Sequence, residues 1–289
     1  MFEGTYTALV TPFKNGKVDY PSFEKLIERQ IEGKVQGVIP AGCTGEAATM
    51  SPQEQLELIQ FTVEQVKGRV QIIAGTGSNS TREAVEMSEK ASKLDIQGVL
   101  VITPYYNKPT PSGILSHYYG VADASKVPVM VYNVPGRTGT KISAETIAEL
   151  AKHPNISSVK EACGSVDQVC DIVSQCDVNV LSGDDGLTLP MMSVGAKGVV
   201  SVSANVMPAE VSAMVKCALE GDFAAAKIAH YELLSFHKSM FAETNPIPVK
   251  TVLGEMGLVT KELRLPLEYG KESTVELAHK LIADYNLKA

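Results

Sequence analysis

The sequence predicts an α/β fold, a closed (β/α)8 barrel with a helical appendage at its C-terminal end. Eight short apolar runs rich in β-branched residues alternate with longer amphipathic stretches, which is the pattern of parallel strands buried on both faces. The strand-like runs are residues 5–10, 37–41, 70–74, 98–103, 127–132, 156–160, 178–181 and 198–202. Eight such units before residue 221 favour a closed TIM barrel over an open doubly wound sheet.

Helices are predicted between these strands and after the last one. The amphipathic stretches cover residues 20–33, 51–66, 80–94, 112–125, 143–152, 165–175, 187–195 and 209–220. Three of them begin with a serine followed three residues later by an acid or amide, at Ser51, Ser80 and Ser165, which indicates capping boxes. Beyond residue 221 the strand pattern ends, and residues 224–242, 249–256 and 275–285 predict helices. We therefore predict a barrel over residues 1–221 and a helical region over residues 222–289 that packs on it.

The composition restricts the class of protein. Of 289 residues, 44% are hydrophobic and 20% charged, as in globular proteins, and the net charge of −7 argues against nucleic acid or an anionic membrane as partner. The chain contains no run of about 18 apolar residues and does not begin with a signal-peptide pattern. Five cysteines without a CxxC pair and five scattered histidines predict reduced thiols and no tightly held transition metal. We expect a soluble, cytoplasmic protein that needs no metal.

In a (β/α)8 barrel, reactive groups collect at the C-terminal ends of the strands. Lys160 ends the sixth predicted strand, Tyr132 ends the fifth, and Arg137 follows in the next turn. Burial lowers the pKa of a lysine and leaves a neutral amine, which is a nucleophile toward carbonyl carbon. Alternatively, the lysine side chain reaches out of the barrel and pairs with Glu161 or another acid. An amine, a phenol and a guanidinium at neighbouring strand ends favour Schiff-base chemistry on a small keto acid.

The turn Gly42-Cys43-Thr44-Gly45-Glu46 offers backbone N–H groups and a hydroxyl, which could bind a carboxylate. The alternative is a tight turn whose glycines supply positive φ and whose Thr44 hydroxyl only satisfies the backbone. Two tyrosines, Tyr105 and Tyr106, follow the fourth predicted strand. They are either packing residues or, if another hydroxyl and a cation polarise a phenol, proton relays.

Six segments together resemble the dihydrodipicolinate synthase family. They are Gly-x-Thr-Gly-Glu at 42–46, Thr-Pro-Tyr-Tyr-Asn at 103–107, Tyr-Asn-Val-Pro-Gly-Arg-Thr-Gly at 132–139, Val-Lys-Glu-Ala at 159–162, Ser-Gly-Asp-Asp at 182–185 and Asn-Pro-Ile-Pro-Val-Lys at 245–250. The resemblance spans essentially the whole chain. Its first and fourth segments are shared with N-acetylneuraminate lyase and the keto-deoxy-sugar-acid aldolases, whereas the arginine-bearing segment is more particular to the synthase.

The resemblance implies condensation of pyruvate with L-aspartate 4-semialdehyde to 4-hydroxy-tetrahydrodipicolinate, in lysine and diaminopimelate biosynthesis. Lys160 would form the imine with pyruvate, and Tyr132 would donate and accept protons. Since the imine is the electron sink, no organic cofactor is implied. Thr44 would hold the pyruvate carboxylate, and Arg137 the carboxylate of the semialdehyde.

Further residues receive roles only through this resemblance. Val200 and Gly183 are implied to belong to the substrate pocket. Tyr106 matches a relay tyrosine that reaches into a neighbouring subunit's site, which implies a homotetramer built as a dimer of tight dimers.

An allosteric lysine site is also implied, by Asn79, Glu83 and Tyr105. Pro52 and Gln55, however, stand where lysine-sensitive enzymes often have histidines, and helix capping alone accounts for Glu83. The sequence therefore leaves open whether lysine inhibits.

Two other functions compete with the synthase. A sister class I aldolase would act on a sugar acid, but Arg137 argues against it because those enzymes accept a polyol or hydroxyaldehyde there. A non-catalytic sensor would bind its ligand even after Lys160→Ala and would trap no imine with borohydride.

Cys43 departs from the family pattern, which has threonine, or serine in some relatives, at this position of the proton relay. A thiol is a weaker and longer hydrogen-bond partner than a hydroxyl. If the thiol bridges Tyr132 and Tyr106, Cys43→Ala should lose much of the steady-state turnover while Cys43→Thr keeps it. Equal turnover in all three forms would rule the bridge out. The other interpretation is a drift in substrate, which the intact Arg137 segment disfavours.

Overall fold

The computed structural model describes residues 2–288. Within this range eight parallel strands close into a barrel: β1 Gly4–Ala8, β2 Gly37–Ile39, β3 Gln71–Gly75, β4 Gly98–Ile102, β5 Val129–Asn133, β6 Ile156–Glu161, β7 Asn179–Ser182 and β8 Gly198–Ser201. Each strand pairs with the next along the chain, and β1 also pairs with β8, which closes the barrel. The predicted TIM barrel is confirmed.

Helices follow the strands and continue beyond the barrel. They are α1 Tyr20–Glu32, α2 Pro52–Val66, α3 Thr81–Ala91, α4 Pro111–Ala124, α5 Pro135–Thr138, α6 Ala144–Leu150, α7 Val166–Gln175, α8 Thr188–Ser193, α9 Pro208–Leu219, α10 Phe223–Ser239, α11 Ile247–Glu255 and α12 Glu272–Asp284. Among the α-helices and strands, α5 and a hairpin of Phe13–Lys14 with Lys17–Val18 were not predicted. Both are too short to produce a hydrophobic period.

The predicted capping boxes are only partly correct. At Ser51 the hydroxyl accepts from the Glu54 N–H while the Glu54 carboxylate accepts from the Ser51 N–H. The hydroxyls of Ser80 and Ser165 also cap their helices, but the returning bond is missing because the third residue is engaged elsewhere. The carboxylate of Glu83 accepts from the Ser78 hydroxyl, and the side chain of Gln168 donates to the Ile142 carbonyl.

The barrel interior is filled by side chains. The inward-facing cluster includes Tyr6, Ile39, Ile73, Leu100, Met130, Tyr132, Leu181 and Val200. A larger cluster fills the space between the strands and the surrounding helices. In the sheet register, Tyr132 of β5 is opposite Lys160 of β6, and Lys160 is opposite Leu181 of β7. Tyr132 and Lys160 therefore belong to one layer.

The C-terminal helices pack against the barrel. Helix α10 lies on α9, and α11 on α12. A buried ion pair joins α11 to the loop after β2, with Lys250 Nζ 2.6 Å from Glu46 Oε1 and both side chains at most 1% exposed. The Arg264 N–H donates to the other Glu46 oxygen at 3.0 Å. Between residues 2 and 288 no helix is long and apolar enough to span a membrane.

The Glu46–Lys250 ion pair yields a stability prediction. Lys250→Met should lower the free energy of unfolding by about 3–5 kcal/mol, because it leaves the Glu46 carboxylate buried without its cation. Urea unfolding followed by circular dichroism measures the loss. The double variant Glu46→Gln/Lys250→Met should lose less, since no uncompensated charge remains.

The matched control is Lys93→Met, which removes the cation of the half-exposed Lys93–Glu89 pair. Exposed pairs contribute little, so this variant should unfold like the wild type. A loss in Lys250→Met no larger than in Lys93→Met would contradict the prediction.

Candidate active site

Lys160 lies inside the barrel at the C-terminal end of β6, beside Tyr132. Only 4% of Lys160 is exposed, and its Nζ is 4.1 Å from the centroid of the Tyr132 ring. Successive residues of a strand face opposite sides, so Glu161 points away from Lys160. The Glu161 carboxylate instead accepts from Asn133 Nδ2 and from the Cys163 N–H, both at 2.9 Å. The alternative in which Lys160 pairs with Glu161 is therefore wrong.

Burial moves the pKa values of these two groups in directions that suit them for different roles. It lowers the pKa of Lys160 from 10.5 to about 8; the electrostatic interactions with Cys43 and Asp185 oppose this shift, and the charge of Arg137 adds to it. Burial also raises the pKa of Tyr132 well above its ordinary value, with Cys43 adding to the rise and Arg137 opposing it. Near neutral pH the site thus offers an amine that loses its proton readily and a phenol that keeps its own.

Thr44 sits in the turn after β2, where its buried hydroxyl Oγ1 accepts a hydrogen bond from Asn245 Nδ2 at 2.9 Å. The turn does not use its glycines for positive φ. Ala41 and Glu46, which flank it, have φ of 55° instead. The alternative in which glycine conformation shapes the turn and Thr44 only satisfies the backbone is therefore wrong, and the hydroxyl hydrogen of Thr44 is left for another acceptor.

Arg137 lies in the short helix α5, on the wall of a cavity of about 590 Å³. One guanidinium nitrogen donates to the backbone carbonyl of Asn245 at 2.7 Å. Cys43, Tyr132 and Asn245 line the same cavity. A guanidinium held in this way can bind a carboxylate with its remaining N–H groups.

Gly183 lies beside the Lys160 side chain, and Val200 lies in the barrel interior. Val200 is buried in the interior cluster with Leu181. A Cβ on Gly183 would lie 3.0 Å from Lys160 Cε and 2.7 Å from Ala162 Cβ, closer than side chains tolerate. The absence of a side chain at Gly183 therefore makes room for the lysine.

The predicted relay is only partly assembled within one chain. Cys43 lies in the cavity wall with Tyr132, but in the described part of the chain no hydrogen bond links its thiol to that phenol. The side chain of Tyr106 is 89% exposed and does not belong to the cavity wall. The relay role of these residues stays a prediction.

Two of the three residues of the predicted lysine site line the same cavity, and the third contacts one of them. Glu83 and Tyr105 line it, and Asn79 Nδ2 donates to the Tyr105 carbonyl at 3.1 Å. Gln55, in place of a histidine, donates to two backbone carbonyls of the preceding loop. Its amide is thus occupied in holding the loop.

Three residues that contact this site were not predicted as part of it. Asn245 bonds both Thr44 and Arg137, and Lys250 pairs with Glu46. Buried Asp185 accepts from the N–H groups of Val202 and Ser203 and so fixes the loop after β8. All three lie in segments that carry the family resemblance, 182–185 and 245–250, and a lysine inside the apolar helix at 249–256 was a further signal, because a charge on a buried face requires a partner.

A (β/α)8 barrel with a buried amine at a strand end is the framework of a lyase-type barrel enzyme. Residues 1–284 match the sequence profile described as the Dihydrodipicolinate synthetase family, and the chain belongs to this family. The 4-hydroxy-tetrahydrodipicolinate synthase of Leptospira biflexa serovar Patoc is 48% identical over 284 residues, which cover 98% of this chain and 97% of the relative.

Solved structures agree with this assignment. Dihydrodipicolinate synthase from Aquifex aeolicus has a TM-score of 0.97 and 43% identity, with 99% of both chains covered. The chloride-inhibited enzyme from Acinetobacter baumannii complexed with pyruvate has a TM-score of 0.97 and 40% identity, covering 99% of this chain and 100% of the other. The family predicted from the sequence is confirmed.

A substitution at Gly183 tests whether a side chain there displaces Lys160, as distinct from a general loss of stability. Gly183→Ala should reduce turnover on the order of 100-fold, because the new methyl group displaces the Lys160 side chain and an error of about 1 Å costs that much. Steady-state kinetics measure the effect. The control is Gly186→Ala, whose Cβ would meet Asp184 Oδ1 at an ordinary 3.5 Å and which should keep nearly full turnover. Equal losses in both variants would contradict the prediction.

Proposed function

We propose that this chain condenses pyruvate with L-aspartate 4-semialdehyde through an imine on Lys160, giving 4-hydroxy-tetrahydrodipicolinate. The observation that carries the proposal is the buried Lys160 amine, with its pKa lowered to about 8, beside a Tyr132 phenol that keeps its proton. The cited relative from Leptospira biflexa bears the name of this synthase. The activity places the chain in lysine and diaminopimelate biosynthesis as a lyase.

The reaction begins with attack of the neutral Lys160 amine on C2 of pyruvate. Tyr132 protonates the departing hydroxyl, water leaves, and the imine forms. Loss of a proton from the methyl carbon gives the enamine, whose carbon bonds to the aldehyde carbon of the semialdehyde while the aldehyde oxygen takes up a proton. The amino group of the second substrate then attacks the imine carbon, which closes the ring and releases Lys160.

Each substrate has a carboxylate, and the site has one group suited to each of them. The free hydroxyl hydrogen of Thr44 suits the pyruvate carboxylate, and the similar Acinetobacter baumannii structure contains pyruvate. Arg137 on the cavity wall suits the carboxylate of the semialdehyde. A sugar-acid aldolase would have no comparable use for a guanidinium at this wall.

A partner subunit is part of the proposal. Tyr106 combines an 89% exposed ring with a φ of 74°, which is costly for a bulky residue and is usually found at functional positions. Insertion of this tyrosine into a second copy of the chain would bury the exposed ring and would account for the unfavourable backbone conformation. We therefore propose a tight dimer, assembled in pairs into a homotetramer, working in the cytoplasm. Binding of lysine by Asn79, Glu83 and Tyr105 stays a prediction, as does its inhibitory effect.

Borohydride trapping with a panel of acceptors tests the proposed function. Incubation with pyruvate and borohydride should add one reduced pyruvyl group at Lys160, detected by peptide mass spectrometry, because the reagent fixes the imine. Turnover should strongly favour L-aspartate 4-semialdehyde over N-acetylmannosamine and glyceraldehyde. Lys160→Ala should lose both the adduct and turnover. Pyruvate binding without any adduct would instead identify a sensor, and preference for a sugar aldehyde would overturn the assignment of Arg137.

The same trapping experiment has an expected pH dependence. Since the folded-state pKa of Lys160 is about 8, the neutral amine predominates above that pH and is lost below it. The initial trapping rate should fall about tenfold per pH unit well below pH 8. A rate that keeps rising up to pH 10 would show an amine with an ordinary pKa.

A further inference from the structure

Asn245 touches both substrate-binding groups of the proposed site, although it lies in the C-terminal region outside the barrel. It precedes α11, lines the cavity and is 7% exposed. Its side-chain Nδ2 donates to Thr44 Oγ1 at 2.9 Å, and its backbone carbonyl accepts from Arg137 at 2.7 Å. Its side-chain oxygen Oδ1 is buried and has no hydrogen-bond partner among the residues described.

We propose that Asn245 is a positioning residue for pyruvate, an inference that rests on the proposed function. A hydroxyl has one hydrogen to donate and lone pairs with which to accept. Because the Asn245 amide donates to Thr44 Oγ1, it occupies a lone pair of that oxygen and leaves the single hydrogen for the substrate. The amide thereby makes the Thr44 hydroxyl a donor directed at a carboxylate.

The orientation of the amide supports this role. If its oxygen faced Thr44, the hydroxyl hydrogen would be spent on Asn245 and could not reach an anionic ligand. This orientation leaves Oδ1 buried without a hydrogen-bond partner among residues 2–288. An unpaired buried oxygen is rare in native proteins, and a gain in binding or catalysis is a physical reason to keep one.

The two contacts of Asn245 can be separated by mutation. The bond to Thr44 uses the side chain, whereas the bond to Arg137 uses the backbone carbonyl, which no substitution removes. Side-chain variants should therefore raise KM for pyruvate and leave KM for the semialdehyde nearly unchanged. A residue that only supports the fold would change both constants together.

The experiment compares Asn245→Ala with Asn245→Asp. The alanine variant should raise KM for pyruvate about 5- to 20-fold, since it removes the hydrogen bond to the Thr44 hydroxyl, which in turn donates to the charged pyruvate carboxylate. The aspartate variant should raise it further, because a carboxylate takes the Thr44 hydrogen and repels the substrate's own carboxylate. The concentration of pyruvate that gives half-maximal borohydride trapping, which involves no semialdehyde, should shift by the same factors.

Thr44→Val provides the coupling test. It should raise KM for pyruvate by itself, and Asn245→Ala in that background should add no further increase, because the amide acts through the hydroxyl. The matched control is Thr251→Val. Thr251 is fully buried in α11, and its hydroxyl donates to the Ile247 carbonyl. Thr251→Val therefore alters the packing of the same region without touching Thr44, and it should leave KM for pyruvate unchanged.

Three outcomes overturn the inference: independent, multiplicative effects of the Thr44 and Asn245 variants, an aspartate variant no worse than alanine, or parallel changes in both KM values. Absence of the pyruvyl adduct in the wild-type protein is a different result, because it overturns the proposed function itself and the inference with it.

Discussion

The buried ion pair between Glu46 and Lys250 is the constraint on which the site depends. Glu46 has a left-handed backbone with φ of 55°, an unfavourable conformation for a residue with a side chain, and its carboxylate is held by Lys250 Nζ and the Arg264 N–H. Lys250 Nζ also donates to the Thr11 carbonyl. These bonds fix the turn that carries Cys43 and Thr44 against α11, and they also set the position of Asn245, which precedes that helix by a few residues.

The alternation of side chains along two neighbouring strands places the proposed acid and the proposed nucleophile side by side. Tyr132 and Lys160 face inward from opposite positions of β5 and β6, while Asn133 and Glu161, one residue later, face outward and bond each other. Burial shifts the pKa values of this inward pair in opposite directions. It disfavours the ammonium of Lys160, which lowers that pKa, and the phenolate of Tyr132, which raises that pKa. One low-dielectric environment thus brings the pKa of the amine closer to neutral pH and keeps the phenol protonated, without a dedicated carboxylate.

The barrel was predictable because strand and helix periods are local properties of the sequence, and Lys160 because a lysine ending an apolar strand is conspicuous. The hairpin at Phe13 and the four-residue α5 are too short for any period. The segment that begins at Asn245 carries the family resemblance, but its contacts could not be predicted, since Asn245 bonds Thr44 and Arg137 across 201 and 108 residues of chain. The alternative for the turn at 42–46 was wrong because its glycines do not have positive φ, and the ion pair that holds Glu46 joins residues 204 apart in the chain.

The dependence of the turn on α11 has a consequence during synthesis of the chain. All eight strands of the barrel have been translated once Ser201 has left the ribosome, yet Thr44 has neither Asn245 nor the Glu46–Lys250 bond to hold it at that stage. Chains fold from the N-terminus as they emerge, so a nascent barrel can collapse before its carboxylate-binding turn is ordered. A released fragment ending after the eighth strand would have the reactive lysine but an unfinished substrate pocket.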